Sequence, residues 1–219
     1  MESIESMRKV KRISLIAMVL MTLFSFTNLI GFNMAGMSVI LGVVFFFIND
    51  AIEKQPTRDN GLDIKAIGSN LKDKRIWFWI VLPLIMDAIC IAISLLFLPE
   101  YIEYEIERAG AFVSIKLGIL PILQFLFFAL GEEIAWRAFF QKQLNKALPI
   151  VPVLLISSLL FALGHFEVGN PVIVLYGLFF TFINSILYGM VFYKTNNAWV
   201  STISHFVANI FSVIIFILL

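Results

Sequence analysis

Side chains suited to nucleophilic or metal chemistry are scarce in this sequence. Its 219 residues include one cysteine, Cys90, and two histidines, His165 and His205. A single cysteine excludes an intrachain disulfide, and its place in an apolar run reads as packing. Charge is sparse too. Only 14% of residues are Asp, Glu, Lys or Arg, the net charge is +1, and no basic arm with interleaved aromatics suggests a nucleic-acid partner. Internal repeats and low-complexity stretches are absent. The first apolar run lacks the small-residue pattern of a cleavable signal peptide, so it reads as a transmembrane helix.

What fills the chain instead is apolar: 60% of residues are hydrophobic and 23 are phenylalanine. A soluble domain of this length cannot hide so much apolar surface. The expected fold is therefore all-α, a polytopic transmembrane helix bundle of about seven spans that forms a single membrane domain over 1–219. Its partner is the lipid bilayer, and the expected setting is the cell membrane.

The pattern predicts helices over 13–30, 34–48, 76–98, 111–147, 149–166, 172–192 and 198–219. Arg8, Lys9, Lys11 and Arg12 precede the first run, and the polar loop over 50–75 carries Lys54, Arg58, Lys65, Lys72, Lys74 and Arg75. Both belong on the cytoplasmic side by the positive-inside rule, which puts the N-terminus inside and the C-terminus outside. Segment 99–110, with Glu100, Glu103, Glu105 and Glu107 against Arg108, fits the outer side as a solvated face. The helix predicted over 111–147 would be roughly 55 Å long at 1.5 Å per residue, so it must tilt, bend or leave the membrane. Asp87, near the middle of the third helix, reads first as a buried hydrogen bond to a neighbouring helix.

Leu130–Arg137 stands out against this background. It puts Glu132, Glu133 and Arg137 into an almost continuously apolar stretch, where each central charge costs at least roughly 2.5–3.5 kcal/mol. Glu133 and Arg137 are four apart and share a helix face, so they can pair. Glu132 is rotated by about 100° and is left to face something else, which we read as a reaction. Two further pairs follow at the same spacing: Phe161 with His165, and His205 with Asn209. One such histidine alone would read as a satisfied interhelical hydrogen bond. Polar groups on three late helices, using both histidines, read as a site.

The order Glu-Glu-x-x-x-Arg, Phe-x-x-x-His, His-x-x-x-Asn resembles the CPBP family, which comprises CAAX-processing, type II prenyl-endopeptidase-like proteases and bacteriocin-immunity (Abi) proteins. The resemblance spans roughly 131–209, inside a motif-bearing core of about 111–219. It implies an intramembrane endopeptidase with a water-filled polar cavity, acting on a CAAX-type or other membrane-associated protein or peptide. Carried over by position, Glu132 and His165 activate water, His205 and Asn209 stabilise the oxyanion, and Glu133, Arg137 and Phe161 support them. A non-catalytic binding or immunity protein that keeps the same cavity is the alternative. No cofactor is favoured. Zinc held by Glu132, His165 and His205 is the competing mechanism, but the chain lacks a His-Glu-x-x-His helix, and Asn209 suits an oxyanion donor better than a zinc ligand.

Overall fold

The computed structural model describes residues 10–32, 34–54, 56–113 and 119–219, and among these every regular element is helical. The main helices are α1 (Arg12–Phe26), α2 (Ala35–Glu53), α3 (Lys74–Phe97), α4 (Pro99–Val113), α5 (Ile119–Glu133), α6 (Ile150–Leu163), α7 (Pro171–Thr195) and α8 (Ala198–Leu218). A π-helix, Ile134–Gln141, continues α5 without a break. Side-chain caps set several starts. Asp73 accepts from the Arg75 N–H before α3, Asn170 from Val172 before α7, where Pro171 opens the helix, and Asn197 from Trp199 before α8.

Among the described residues, five helices are long and apolar enough to cross a membrane: Arg12–Ile30, which includes a 3₁₀ turn, Ala35–Glu53, Lys74–Phe97, Pro171–Thr195 and Ala198–Leu218. α6 is a shorter apolar helix. Large side chains such as Leu23, Phe47, Phe97, Phe127 and Leu175 point outward, which only a lipid environment accommodates on this scale. The protein is thus a multi-pass membrane bundle, and the expected count of about seven spans is approximate. The acidic segment differs from its expected form, because it is helix α4 rather than an irregular solvated run. Tyr101 and Ile102 give α4 a buried apolar side, which four nearby glutamates obscure in the sequence. Of the helix expected over 111–147, residues 111–113 belong to α4, 119–133 form α5 and 134–141 form the π-helix. Residues 114–118 and the basic residues Arg8 and Lys9 lie outside the described residues.

The π-helix is the centre of the bundle, with all eight of its residues buried. Ala135, Trp136, Phe139 and Phe140 pack with Ala17 and Met21 of α1, Phe46 of α2, Phe161 of α6 and Phe192 of α7. Gly42 permits the tightest approach: a Cβ there would lie 2.5 Å from the Ala135 Cβ and 2.8 Å from its Cα. Below the bundle, the loop between α2 and α3 folds back on the start of α8. The Ala198 N–H donates to the Gly61 carbonyl at 2.7 Å, Asn197 Nδ2 to that of Asp63 at 2.7 Å, and Trp199 Nε1 to that of Leu62 at 3.2 Å. Lys142, just past the π-helix, donates to the carbonyl of Asp59 in the same loop. These bonds set the level at which α8 begins, and with it the depth of His205.

Candidate active site

Glu132 and Glu133 occupy the last turn of α5, where the backbone widens into the π-helix. Such insertions re-aim side chains and recur at functional sites. Glu133 points into the protein, and both it and Arg137 have 0% side-chain exposure. Their ion pair, Glu133 Oε2 to Arg137 Nε, is 3.4 Å long. Arg137 also donates from Nη2 to Ser185 Oγ at 3.0 Å, and its guanidinium lies 5.2 Å from the Phe161 ring centroid. Glu132 turns the other way, with 22% side-chain exposure, onto the wall of a cavity of about 410 Å³.

His205 lies between the two carboxylates. Its Nδ1 is 3.0 Å from Glu133 Oε1, a hydrogen bond in which the imidazole N–H donates. Its Nε2 is 3.7 Å from Glu132 Oε2. The flat face of the ring stacks on Tyr188 of α7, with centroids 4.3 Å apart and planes 16° apart. A carboxylate on one nitrogen and an aromatic on one face leave the ring little freedom, and Nε2 is aimed at the cavity side of Glu132.

His165 lies just past the end of α6, one residue beyond the Gly164 cap, rather than inside a helix as the sequence predicts. Its Nδ1 donates to the Phe161 carbonyl at 2.9 Å, which leaves the lone pair of the neutral ring on Nε2. The turn is held from α1's side as well, where Asn28 Nδ2 donates to the Gly164 carbonyl at 2.8 Å. Phe161 joins the two histidines, its ring centroid being 4.5 Å from that of His165 and 6.2 Å from that of His205. The two imidazoles are therefore closer than the roughly 12 Å at which one small water cavity no longer bridges them. Straight helices starting at one level would leave them at different depths. The bundle instead brings them together across Phe161.

Asn209, one turn beyond His205 on α8, lines the same cavity as Glu132, His165 and His205. Phe161 contributes to the wall too, whereas Glu133 and Arg137 lie behind it. Sequence reasoning did not single out Tyr188 or Ser185. Each is a polar group in the mainly apolar α7, beside Thr181 and Asn184, and that cluster was the available signal. At one end of the cavity, Tyr104 and Arg108 of α4 meet Glu167 of the turn after α6: the Tyr104 hydroxyl donates to Glu167 Oε2 at 2.7 Å, and Arg108 Nε is 3.3 Å from Oε1. Burial, with the neighbouring Glu167 carboxylate, pushes the Tyr104 phenol up to about 12 and keeps it a donor.

Zinc was tested on the donor set. Among the described residues no three of His, Cys, Asp and Glu form a group that could hold a metal ion. Each histidine keeps Nε2 free, since Nδ1 bonds the Phe161 carbonyl in one and Glu133 in the other, so it is the spacing of the donors and not their chemistry that fails to gather a metal site. Glu132, His165 and His205 as arranged do not fit a metal site, and no step below passes through one.

Residues 115–211, the segment that carries all three motifs, match the model of the family described as type II CAAX prenyl endopeptidase, Rce1-like. The match agrees with the resemblance that the three motifs carry, and it points to a CAAX-type intramembrane protease. Neither the curated proteins nor the solved structures give a match.

Proposed function

We propose that this protein is an intramembrane endopeptidase that hydrolyses a peptide bond of a membrane-associated protein or peptide, with water activated by Glu132 and His165. The observation that carries the reading is the placement of Glu132, His165, His205 and Asn209 on the wall of one cavity inside a membrane bundle. Glu132 faces the cavity, and Arg137 pairs with Glu133 rather than with it, which leaves Glu132 open to take a proton from water. His165 offers the Nε2 lone pair that its bond to Phe161 leaves open.

The reaction follows from these roles. Water between Glu132 and His165 gives a proton to the Glu132 carboxylate as its oxygen attacks the scissile carbonyl carbon. The carbonyl oxygen becomes an oxyanion, and the Asn209 amide and Nε2–H of a protonated His205 donate to it. Glu133 serves as the positioning residue: it accepts from His205 Nδ1 and directs the other nitrogen towards the oxyanion. Collapse of the intermediate breaks the C–N bond, and Glu132 returns its proton to the leaving amine. A carboxylic acid and a free amine result, and the enzyme is unchanged. The family match supports a CAAX-type substrate. The basic loop over 50–75 supports a cytoplasmic location for that end of the bundle in the cell membrane.

The test uses purified full-length protein in lipid nanodiscs and a panel of quenched-fluorescent peptides, with and without a C-terminal CAAX sequence. Cleavage by the wild type that survives exhaustive chelation and is lost in Glu132→Gln is the expected result. Loss on chelation that is restored by stoichiometric zinc overturns the metal-free route and makes His165 and His205 ligands. Binding without cleavage by the wild type replaces the protease with a non-catalytic binding or immunity protein.

A further inference from the structure

The cavity has a second polar wall that the hydrolytic residues do not use. Asp87 of α3 lies there with Asn184 of α7 and Ser212 of α8. Asn184 Nδ2 donates to Asp87 Oδ1, and Ser212 Oγ donates to Oδ2 at 3.1 Å. Both partners are neutral, so the carboxylate faces the cavity with its charge unpaired by either. The second observation concerns Asn184, which is 8% exposed and whose Oδ1 is buried without a hydrogen-bond partner. Because its amide nitrogen is committed to Asp87, the amide cannot flip to relieve that oxygen. A buried, unpaired acceptor costs stability, and fixing three helices together does not require one.

Helical spacing places this wall beside the reactive one. Asn184 is four residues before Tyr188, which stacks on His205, and Ser212 is three beyond Asn209. An extended peptide whose scissile bond lies at Glu132 and His205 would therefore run its neighbouring side chains past Asp87. The carboxylate of Asp87 is the one negative charge on this wall, and its two hydrogen-bond donors are neutral. What complements it is a donor that carries positive charge.

We infer that Asp87 and Asn184 form a specificity subsite for a basic side chain, lysine or arginine, close to the scissile bond of the substrate. The inference rests on the endopeptidase reading for the placing of that bond. An ammonium or guanidinium entering the cavity pairs with Asp87, which Asn184 and Ser212 hold in place, and offsets its charge. A substrate with an apolar side chain in the same place leaves the Asp87 charge without a cation. Such a site selects by penalty as well as by attraction.

The test uses the full-length Glu132→Gln protein in nanodiscs and fluorescent decapeptides that differ only in lysine or norleucine, walked through the central positions. At one position the lysine peptide should bind about tenfold more tightly than its norleucine twin. Adding Asp87→Asn, which keeps the shape and removes the charge, should bring that ratio to about one while norleucine binding stays the same. Asn184→Ala should lower the ratio part of the way, which keeps the test open if Asp87→Asn does not accumulate. A purely structural role for Asp87 would change both peptides equally. No lysine preference at any position, or a preference that Asp87→Asn leaves intact, overturns the subsite. Lysine preference together with a wild type that cleaves none of the peptides would sink the endopeptidase reading and leave the subsite standing.

Discussion

Glu132 and Glu133 are adjacent in sequence and opposite in surroundings, so the same substitution at each should fail differently. Glu132→Gln keeps the shape of a cavity-facing side chain but cannot take the proton from water. Turnover should disappear while thermal stability in detergent stays near that of the wild type. Near-normal turnover would remove Glu132 from its role. Glu133→Gln instead strands Arg137 at a fully buried position and should cost about 3–5 kcal/mol, seen as lost yield and a lower melting temperature. Asn209→Ala should lower kcat by about 10²–10³ with little change in KM, as removal of one oxyanion donor does. The spacing in the sequence indicated that Glu133 pairs with Arg137 and that Glu132 faces elsewhere. It could not indicate that Glu133 also holds His205, since that contact joins residues 72 positions apart. Tyr188 and Ser185 escaped for a related reason: a polar residue in a mainly apolar helix looks alike whether it meets lipid headgroups or a catalytic ring.

Among the elements, the π-helix is the piece on which the site most depends and the one hydropathy could not disclose. Apolar patterning records which faces are buried, not whether each N–H bonds four or five residues back. The helices at α1, α2, α3, α6, α7 and α8 were legible because membrane spans are long apolar runs bounded by polar turns. α4 was not, because its buried side is short and its glutamates dominate. The π-helix keeps its place through the close approach at Gly42, which gives a test of the element itself. A Cβ there would collide with the Ala135 Cβ and its backbone Cα, so no flexible side chain can give way. Gly42→Val should destabilise the protein by about 1–3 kcal/mol. It should also reduce turnover by displacing the backbone two residues from Glu133, whereas Gly36→Val, with open space around it, should do neither. Equal melting temperatures for the two variants would mean that α2 does not press on the π-helix in the membrane.

At the scale of the whole molecule, the site requires a particular sidedness. α3 is a span of 24 residues, so the loop before it and α4 after it must lie on opposite sides of the membrane. Basic residues crowd the loop and acidic ones α4, which predicts a cytoplasmic loop and an outer α4 with the Tyr104–Glu167 end of the cavity. Thr57 and Glu103 are both exposed at these two ends, and the only native thiol, Cys90, is buried. In a Cys90→Ala background, Glu103→Cys should react with a membrane-impermeant maleimide on intact cells, and Thr57→Cys only after permeabilisation. Reversed labelling would keep the bundle but invert it, and would direct substrate to the cavity from the cytoplasm. Labelling of both from one side would mean that α3 does not cross, and the exposed Leu96 and Phe97 of α3 would then lie outside the bilayer without an apolar partner.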